Sequence, residues 1–495
     1  MTSQPVKGIT LLGLGPGDPS ALTRRAWETL QNTDEVYLRT RRHPVVSEFP
    51  AGLRVHSFDE LYEDGETTGR LQVRIVERIL ELGRRPQGVL YAVPGHPFIA
   101  EVSGTEIARL AREEGLPLRV VDGMSFLEPV VAALGIDPFP QITLVDALEL
   151  AAAHTPSFPP SAPAIIAQIG SPGLATAVKR TLRTVYPANF EVRLVHDAGM
   201  PQERVETVRL DQLDRSPDSG PLTSLYLPAL SPASSLEAFQ EIIAHLRAPD
   251  GCPWDREQTH ASLRSYLLEE AYEVLSALDA GDTDAMREEF GDLLLQIVLH
   301  AQIAAESGTF NMADILQGIH SKIVRRHPHV FGDHLAKDAQ AVLQNWEKLK
   351  AEERAEKGKA EASLLSGVAL ALPALVQAEE YQRRAARVGF DWPEIQGVLA
   401  KVEEEMQEVY TARDDGERAG ELGDLLFAVV NLARWHHIDA ESALREANAR
   451  FRERFSFIEA EARRQEKELS EMPLEEMEAL WQAAKRREVG NGRGG

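Results

Sequence analysis

The stretch YLLEEAYEVL, Tyr266 to Leu275, followed by EEFGDLLLQIVLH, Glu288 to His300, returns later in the chain as KVEEEMQEVY, Lys401 to Tyr410, followed by ELGDLLFAVVNL, Glu421 to Leu432. Both copies carry the same five carboxylates: Glu269, Glu270, Glu273, Glu289 and Asp292 in the first, Glu404, Glu405, Glu408, Glu421 and Asp424 in the second. A helix turns about 100° per residue, so EExxE sets three acids within an arc of about 100°, and ExxD sets two more on the next helix. Such a cluster repels itself unless a cation sits in it, and hard divalent ions take oxygens from carboxylates, water and phosphates. The pattern therefore predicts, twice over, a pair of helices that together form a magnesium and phosphate site.

Glutamate-rich helices in an acidic chain are most often solvated faces. The flanks argue otherwise. Tyr266, Leu267, Leu268, Val274 and Leu275 surround the first triad, and Phe290, Leu293, Leu294, Leu295, Ile297 and Val298 surround Asp292, which predicts largely buried helices with inward-pointing acids. Recurrence of the full pattern, with Gly-Asp-Leu-Leu at 291–294 and again at 423–426, weighs further against a merely solvated face.

Basic residues follow each acidic set. Lys322 and Arg326 come after the first, Arg450 and Arg454 after the second, each pair four residues apart and so on one helix face where a triphosphate could be gripped. Ordinary surface cations are the plainer reading, and repetition brings the two readings level. The copies are not equivalent, because Asn431 stands seven residues after Asp424 where the first copy has Leu299. Trp254 and Trp392 could stack on a nucleobase, although such residues more often cap a bundle core. His327 and His329 are ligands by type, but Pro328 between them favours a turn that ends a helix.

The segment resembles the MazG-type all-α nucleoside triphosphate pyrophosphohydrolases. The matching text is GCPWDREQTHASLRSYLLEEAYEVL (Gly251 to Leu275), EEFGDLLLQIVLHAQ (Glu288 to Gln302), RRHPHVFG (Arg325 to Gly332), VGFDWP (Val388 to Pro393) and ELGDLLFAVVNLAR (Glu421 to Arg434). The resemblance covers essentially residues 231–495 and implies two MazG-like domains, 231–355 and 356–495. It further implies Mg²⁺ as cofactor, hydrolysis of nucleoside triphosphates to a monophosphate and pyrophosphate, and association as a homodimer. In that scheme Glu270, Glu273, Glu289 and Asp292, with Glu405, Glu408, Glu421 and Asp424, are metal ligands. Glu269 and Glu404 are further ligands or the bases that orient water, and Lys322, Arg326, Asn431, Arg450 and Arg454 bind substrate.

The N-terminal half reads differently. A short apolar strand from Ile9 runs into Gly13, Gly15, Pro16 and Gly17, and a helical stretch begins near Leu22. A dinucleotide fingerprint fails, because Asp18 occupies the third glycine position of GxGxxG. Instead GLGPGDPSALT (Gly13 to Thr23) resembles the opening of the tetrapyrrole methylases. YAVPGHPFIAE (Tyr91 to Glu101), VVDGMSFLEPVVAALGID (Val120 to Asp137) and YPANFEVRLVHDAGMPQERVETVRLDQL (Tyr186 to Leu213) extend the likeness over about residues 8–230. It implies an α/β domain, 1–230, with two subdomains around a cleft that binds S-adenosylmethionine through Gly13, Gly15, Pro16, Gly17, Gly95, His96 and Ser125. His96 is a departure, since many members of that family carry Asp at this place in the loop. For the glycines alone, a strained turn is an equal reading, and a degenerate methylase fold kept for regulation or dimerisation is the alternative for the whole half.

At 495 residues and 43% hydrophobic composition, the chain has room for two to four ordinary cores. Its net charge of −24 is uneven: 22 basic against 28 acidic residues in 1–230 leave 31 against 49 in 231–495. That balance disfavours nucleic acid as the main partner. The single Cys252 excludes an internal disulfide and points to a reducing compartment. No signal peptide opens the chain, and the longest apolar stretch, around Leu293 to Ala305, holds Gln296, His300 and Gln302, so no membrane partner and a cytoplasmic location are expected.

Proline and serine residues at 228–235 suggest a linker near residue 230, and the Lys-, Glu- and Arg-rich stretch 347–361 suggests a connector between the copies. The expected fold is therefore α/β in front and all-α helical bundles behind. Two other functional classes fit the same residues: a sensor that binds nucleotide and S-adenosylmethionine without turnover, and a methyltransferase with a structural helical appendage.

Overall fold

The computed structural model describes residues 8–63, 68–217, 220, 222–332, 338, 342, 349, 353 and 363–490. Most of the charged connector 347–361 lies outside the described residues. The chain divides into two compact units, Met1–Arg256 and Glu257–Gly495.

In the first unit, β1 (Ile9–Gly13), β2 (Glu35–Leu38), β3 (Arg54–Ser57), β4 (Val89–Val93) and β5 (Leu118–Val121) form a parallel sheet in the order β3-β2-β4-β1-β5. Strands β1 and β4 are buried at every position, as expected of parallel strands covered by helices on both faces. Ile75, Ile79, Ile107 and Ala111 pack with Ile9, Leu11 and Tyr91 in one cluster, while Ala26 and Leu30 pack with Leu12 and Ala92 in another.

A second sheet of β6 (Thr143–Asp146), β7 (Ala164–Ala167), β8 (Glu191–His196), β9 (Arg204–Arg209) and β10 (Thr223–Leu227) runs in the order β6-β7-β10-β8-β9. It is mixed, with β6 and β7 parallel and the other pairs antiparallel. Helix Leu127–Leu134 packs Val130 and Leu134 against Ile165 and Val195, which ties this subdomain to the first.

After β10 the chain does not leave the unit at residue 230. Leu230 N donates to Pro160 O at 2.8 Å, the Ser161 and Ser235 hydroxyls lie 2.7 Å apart, and Ser235 caps helix Leu236–Arg247. The compact unit accordingly runs on through this helix to Arg256.

The second unit is helical. Helix Arg264–Ala280 ends on Gly281, whose φ of +66° is the left-handed conformation that stops a helix, and Asp282 at once caps helix Thr283–Glu306. The tight reversal makes an antiparallel hairpin with EExxE on one arm and ExxD on the other. Helices Ile395–Thr411 and Asp415–Trp435 repeat it, with Asp414 as the cap. Helices Met312–Arg326, Ala374–Arg387, Ala440–Arg464 and Leu474–Gly490 complete the described part.

The expectation of largely buried hairpins does not hold within one chain. Only a narrow stripe is covered, including Val274, Ala277, Val298, Leu299 and Ala301, whereas Leu268 is 57%, Phe290 49% and Leu426 59% exposed. The reason lies in the pattern: apolar residues run most of the way around these helices, and a two-helix hairpin can cover only one side of each arm.

Candidate metal centres and cofactor cleft

Each hairpin brings three glutamates to one point. Glu270, Glu273 and Glu289 each place a carboxylate oxygen within 4.8 Å of the others, and Glu405, Glu408 and Glu421 do the same. Asp292 and Asp424 stand outside these two groups, yet near enough to act on them electrostatically. Burial, with Asp292 and the neighbouring glutamates, pushes the Glu270 carboxyl up, and burial together with Glu273, Glu288 and Asp292 raises Glu289. Glu421 is raised by burial, then by Glu408, Glu405 and Asp424. Glu405 is only 5% exposed, and its Oε2 is buried without a hydrogen-bond partner. Hard oxygen donors and accumulated negative charge in both hairpins, with an orphaned buried oxygen in the second, are groups that could hold a small divalent cation such as Mg²⁺.

The hairpins differ in what offsets this charge. Lys401 Nζ lies 2.7 Å from Glu405 Oε1 and 3.0 Å from Glu404 Oε1, and these contacts raise the ammonium above its usual range. Tyr266 holds the corresponding place, three residues before EExxE, in the first copy. Reading the acids alone overlooks Lys401, although a lysine one helical turn ahead of the motif is visible in the sequence.

The basic residues are also differently placed. Arg326 meets Glu353 through two contacts, Nε to Oε1 at 3.1 Å and Nη2 to Oε2 at 2.6 Å, and Arg325 meets the same carboxylate. Hydrogen bonds from Arg326, then Arg325, hold Glu353 down at about 2 against the opposing effect of burial. Lys322 is exposed. In the second copy Arg450 makes an i,i+4 pair with Glu446 at 3.2 Å, and the Arg454 guanidinium lies 5.3 Å over the Trp481 ring, which also packs on Phe451.

Asn431 Oδ1 accepts from Arg434 at 3.0 and 2.7 Å, and Arg434 also pairs with Asp391 at 2.6 Å. Glu269 is exposed, and Glu404 is exposed beside Lys401. Trp254 is 53% exposed, whereas the Trp392 ring lies so close to Gly397 that a Cβ there would come within 2.6 Å of it. His327 Nδ1 meets the Ile323 carbonyl at 2.8 Å, at the end of helix Met312–Arg326.

In the first unit the loops after β1, β4 and β5 meet. Gly15 N donates to Gly95 O at 3.2 Å and Gly95 N to Gly15 O at 2.8 Å. A Cβ on Gly13 would stand 2.5 Å from Gly95 O and 2.6 Å from Gly123 N, so the three loops touch backbone to backbone and leave no room for a side chain. Beside this junction opens a cavity of about 530 Å³ whose lining includes Gly15, Pro16, Arg39, Gly95, Glu101 and Gln168.

Of the other predicted cofactor residues, Gly17 abuts Met200, where a Cβ would fall 2.8 Å from the sulfur. His96 Nδ1 accepts from Phe98 N at 3.1 Å, with Nε2 3.7 Å from Asp122. Buried Ser125 accepts from Leu127 N at 3.0 Å and donates to Glu128 in the first turn of helix Leu127–Leu134. Gly13, Gly17, His96 and Ser125 thus shape the loops, while Gly15, Pro16 and Gly95 line the cavity. Backbone groups brought close to a space of this size suit a small cofactor such as S-adenosylmethionine.

An α/β unit of this form followed by two carboxylate-armed helical hairpins has the layout that the tetrapyrrole methylase and MazG resemblances imply. Residues 8–214 match the tetrapyrrole (corrin/porphyrin) methylases, and residues 258–331 match the MazG nucleotide pyrophosphohydrolase domain. The chain is 42% identical to the uncharacterized protein YabN of Bacillus subtilis, over 97% of this chain and 99% of that one. It is 45% identical to the nucleoside triphosphate pyrophosphohydrolase/pyrophosphatase MazG of Thermotoga maritima, over 50% of this chain and 95% of that one. With the nucleoside triphosphate pyrophosphohydrolase of Escherichia coli K12 the identity is 46%, over 52% of this chain and 99% of the other. The chain belongs to the MazG family, with a tetrapyrrole methylase domain ahead of the MazG helices.

Proposed function

We propose that the chain hydrolyses nucleoside triphosphates to nucleoside monophosphate and pyrophosphate in a Mg²⁺-dependent reaction, and that the second hairpin is the working site. The observation that carries this is the meeting of Glu405, Glu408 and Glu421 around an orphaned buried oxygen, beside Lys401 and on the same copy as Arg450 and Arg454. The names of the relatives in Thermotoga maritima and Escherichia coli support the reaction class.

When bound, magnesium supplies charge neutralisation of the triphosphate oxygens and a more acidic bound water. Glu405, Glu408 and Glu421, with Asp424 beside them, would hold it, and Glu270, Glu273, Glu289 and Asp292 form the equivalent set in the first copy. Glu404, and Glu269 as its counterpart, would serve as a further ligand or as the base that orients the attacking water. Lys401, Arg450 and Arg454 offer cations to the phosphates. Attack on the α-phosphorus forms one P–O bond and breaks the bond to the bridging oxygen, so pyrophosphate leaves. Arg326 of the first copy is held by Glu353 at 2.6 Å with both side chains largely withdrawn from water, whereas Arg450 of the second meets Glu446 at 3.2 Å in a more exposed pair, which favours a supporting role for the first copy.

The same reading extends to parts away from the hairpins. S-adenosylmethionine is the cofactor proposed for the cavity at Gly15, Pro16 and Gly95, with methyl transfer as its chemistry. The bands of exposed Leu268, Phe290, Leu294, Leu426 and Phe427 support a homodimer, because apolar surface of this extent rarely faces water. Among the described residues no helix is long and apolar enough to cross a membrane; a cytoplasmic location and small nucleotides as partners, with no nucleic acid, complete the proposal.

The test is pyrophosphate release from a panel of NTPs and dNTPs with Mg²⁺, for wild type, Asp292→Asn, Asp424→Asn and the double variant. Loss in Asp424→Asn with activity kept in Asp292→Asn is the expected result. Full turnover in all three variants would sink the assignment of these acids, and no release from wild type would favour the sensing protein.

A further inference from the structure

Helix Ala440–Arg464 carries both Arg450 and Arg454, yet near its start it is tied to the other copy. Arg445 Nε lies 3.4 Å from Asp279 Oδ2, and its guanidinium carbon stands 5.9 Å from the centre of the Tyr272 ring. Both partners belong to helix Arg264–Ala280, the helix of Glu269, Glu270 and Glu273, with Tyr272 immediately before Glu273.

The side chains of Arg445 and Asp279 are each 25% exposed, so the pair is partly withdrawn from water and less screened than a surface pair. The ring adds a contact that depends on the orientation of the planar fork. Arg445 Nη2 also donates to Ser442 Oγ at 3.3 Å, while Nε and Nη1 are buried without a well-aligned hydrogen bond. The orientation of this guanidinium is therefore set by contacts on both helices. Arg450 lies five positions and Arg454 nine positions beyond Arg445 on one continuous helix, so a shift at its start would reach both.

We propose that Arg445 is a positioning residue that couples the acidic site of the first copy to the phosphate-gripping helix of the second. The first copy then sets nucleotide affinity at a site whose chemistry it does not perform. This rests on the proposal that the second copy turns over triphosphate.

The experiment uses the full chain with Mg²⁺. It measures kcat and KM for pyrophosphate release, and the Kd of a non-hydrolysable nucleoside triphosphate by calorimetry, for wild type, Arg445→Met, Arg445→Lys, Asp279→Asn and the Asp279→Asn/Arg445→Met double variant. Arg445→Met should raise KM and Kd about tenfold while kcat stays within about twofold. Arg445→Lys should recover part of the loss, and Asp279→Asn should add little once Arg445 is gone. Glu273→Gln, made in the wild-type and Arg445→Met backgrounds, should weaken nucleotide binding in the first and leave it unchanged in the second. Unaltered KM and Kd, or effects that simply multiply in the double variants, overturn the proposal. Should Arg445→Met fail to fold, Asp279→Asn carries the same expectation from the other side of the pair. A wild type that binds the analogue but releases no pyrophosphate overturns the pyrophosphohydrolase reading instead.

Discussion

The two acidic hairpins share five carboxylates at matching places but differ in how their charge is offset. In the first, burial and mutual repulsion raise Glu270 and Glu289, and Tyr266 stands where a counter-ion could. In the second, Lys401 sits against Glu404 and Glu405, with an arginine and tryptophan pair on the helices that follow. Identical ligand sets therefore need not do identical work, because the charge beside them decides whether a tetra-anionic substrate can approach. On the proposed reading, the first hairpin takes up a cation and the second takes a cation together with phosphate.

The sharpest way to break that comparison is to remove one ligand from each side. Glu408→Gln should lower pyrophosphate release about a hundredfold or more, at or beyond the upper end of the roughly 10- to 100-fold cost of losing a group that only orients a metal ligand, whereas Glu273→Gln should act chiefly on KM. Equal collapse of kcat in both would make the two sites equivalent and cancel the division of labour.

Lys401→Met separates the two duties of the second site. With the ammonium gone, Glu404 and Glu405 repel each other more and should hold a divalent ion more tightly, while nucleotide KM rises about tenfold through the lost phosphate contact. Metal titration and steady-state kinetics on the same protein check both signs. A smaller change is expected from Arg326→Gln, because Glu353 already occupies that guanidinium. KM should hardly move, while the melting temperature should fall.

The pH response carries opposite signs in different places. Glu270, Glu289 and Glu421 are raised in the folded chain, so the native state binds protons more tightly than the unfolded one. Stability of the metal-free protein should therefore rise as pH falls toward the ordinary carboxylate value of about 4.5. Thermal melts in chelator at pH values of about 7.5 and 5.5 should show this rise, and magnesium should flatten it. The Arg326–Glu353 pair works the other way. Its contribution is full above the unfolded carboxylate value and disappears as pH drops toward about 2.

Much of this was legible in the chain itself. The EExxE and ExxD spacing located the carboxylates that the hairpins bring together, since helical periodicity and a tight Gly281–Asp282 reversal suffice to juxtapose them. The apolar run from Ile9 likewise announced a strand, which the structure shows to be buried and parallel to its neighbours. The flanking leucines misled: hydrophobicity signals that a surface wants covering, but not whether the cover comes from the same chain. Nor could glycine counting separate Gly15 and Gly95, which line the cavity, from Gly13 and Gly17, which are glycines because a neighbouring loop or Met200 fills the space of a side chain.

By itself, the sequence determined the local chemistry: which carboxylates share a helix face, where helices start and stop, and that an α/β unit precedes an acidic helical one. These follow from periodicity and capping, which act over a few residues. Only the tertiary structure decided which cation meets which carboxylate. Lys401 reaches Glu405 within one helix, but Arg326 meets Glu353 and Arg445 meets Asp279 across elements distant in the chain. Coulomb attraction depends on separation in space and on local exclusion of water, and neither quantity is written in the spacing of residues along a strand of letters.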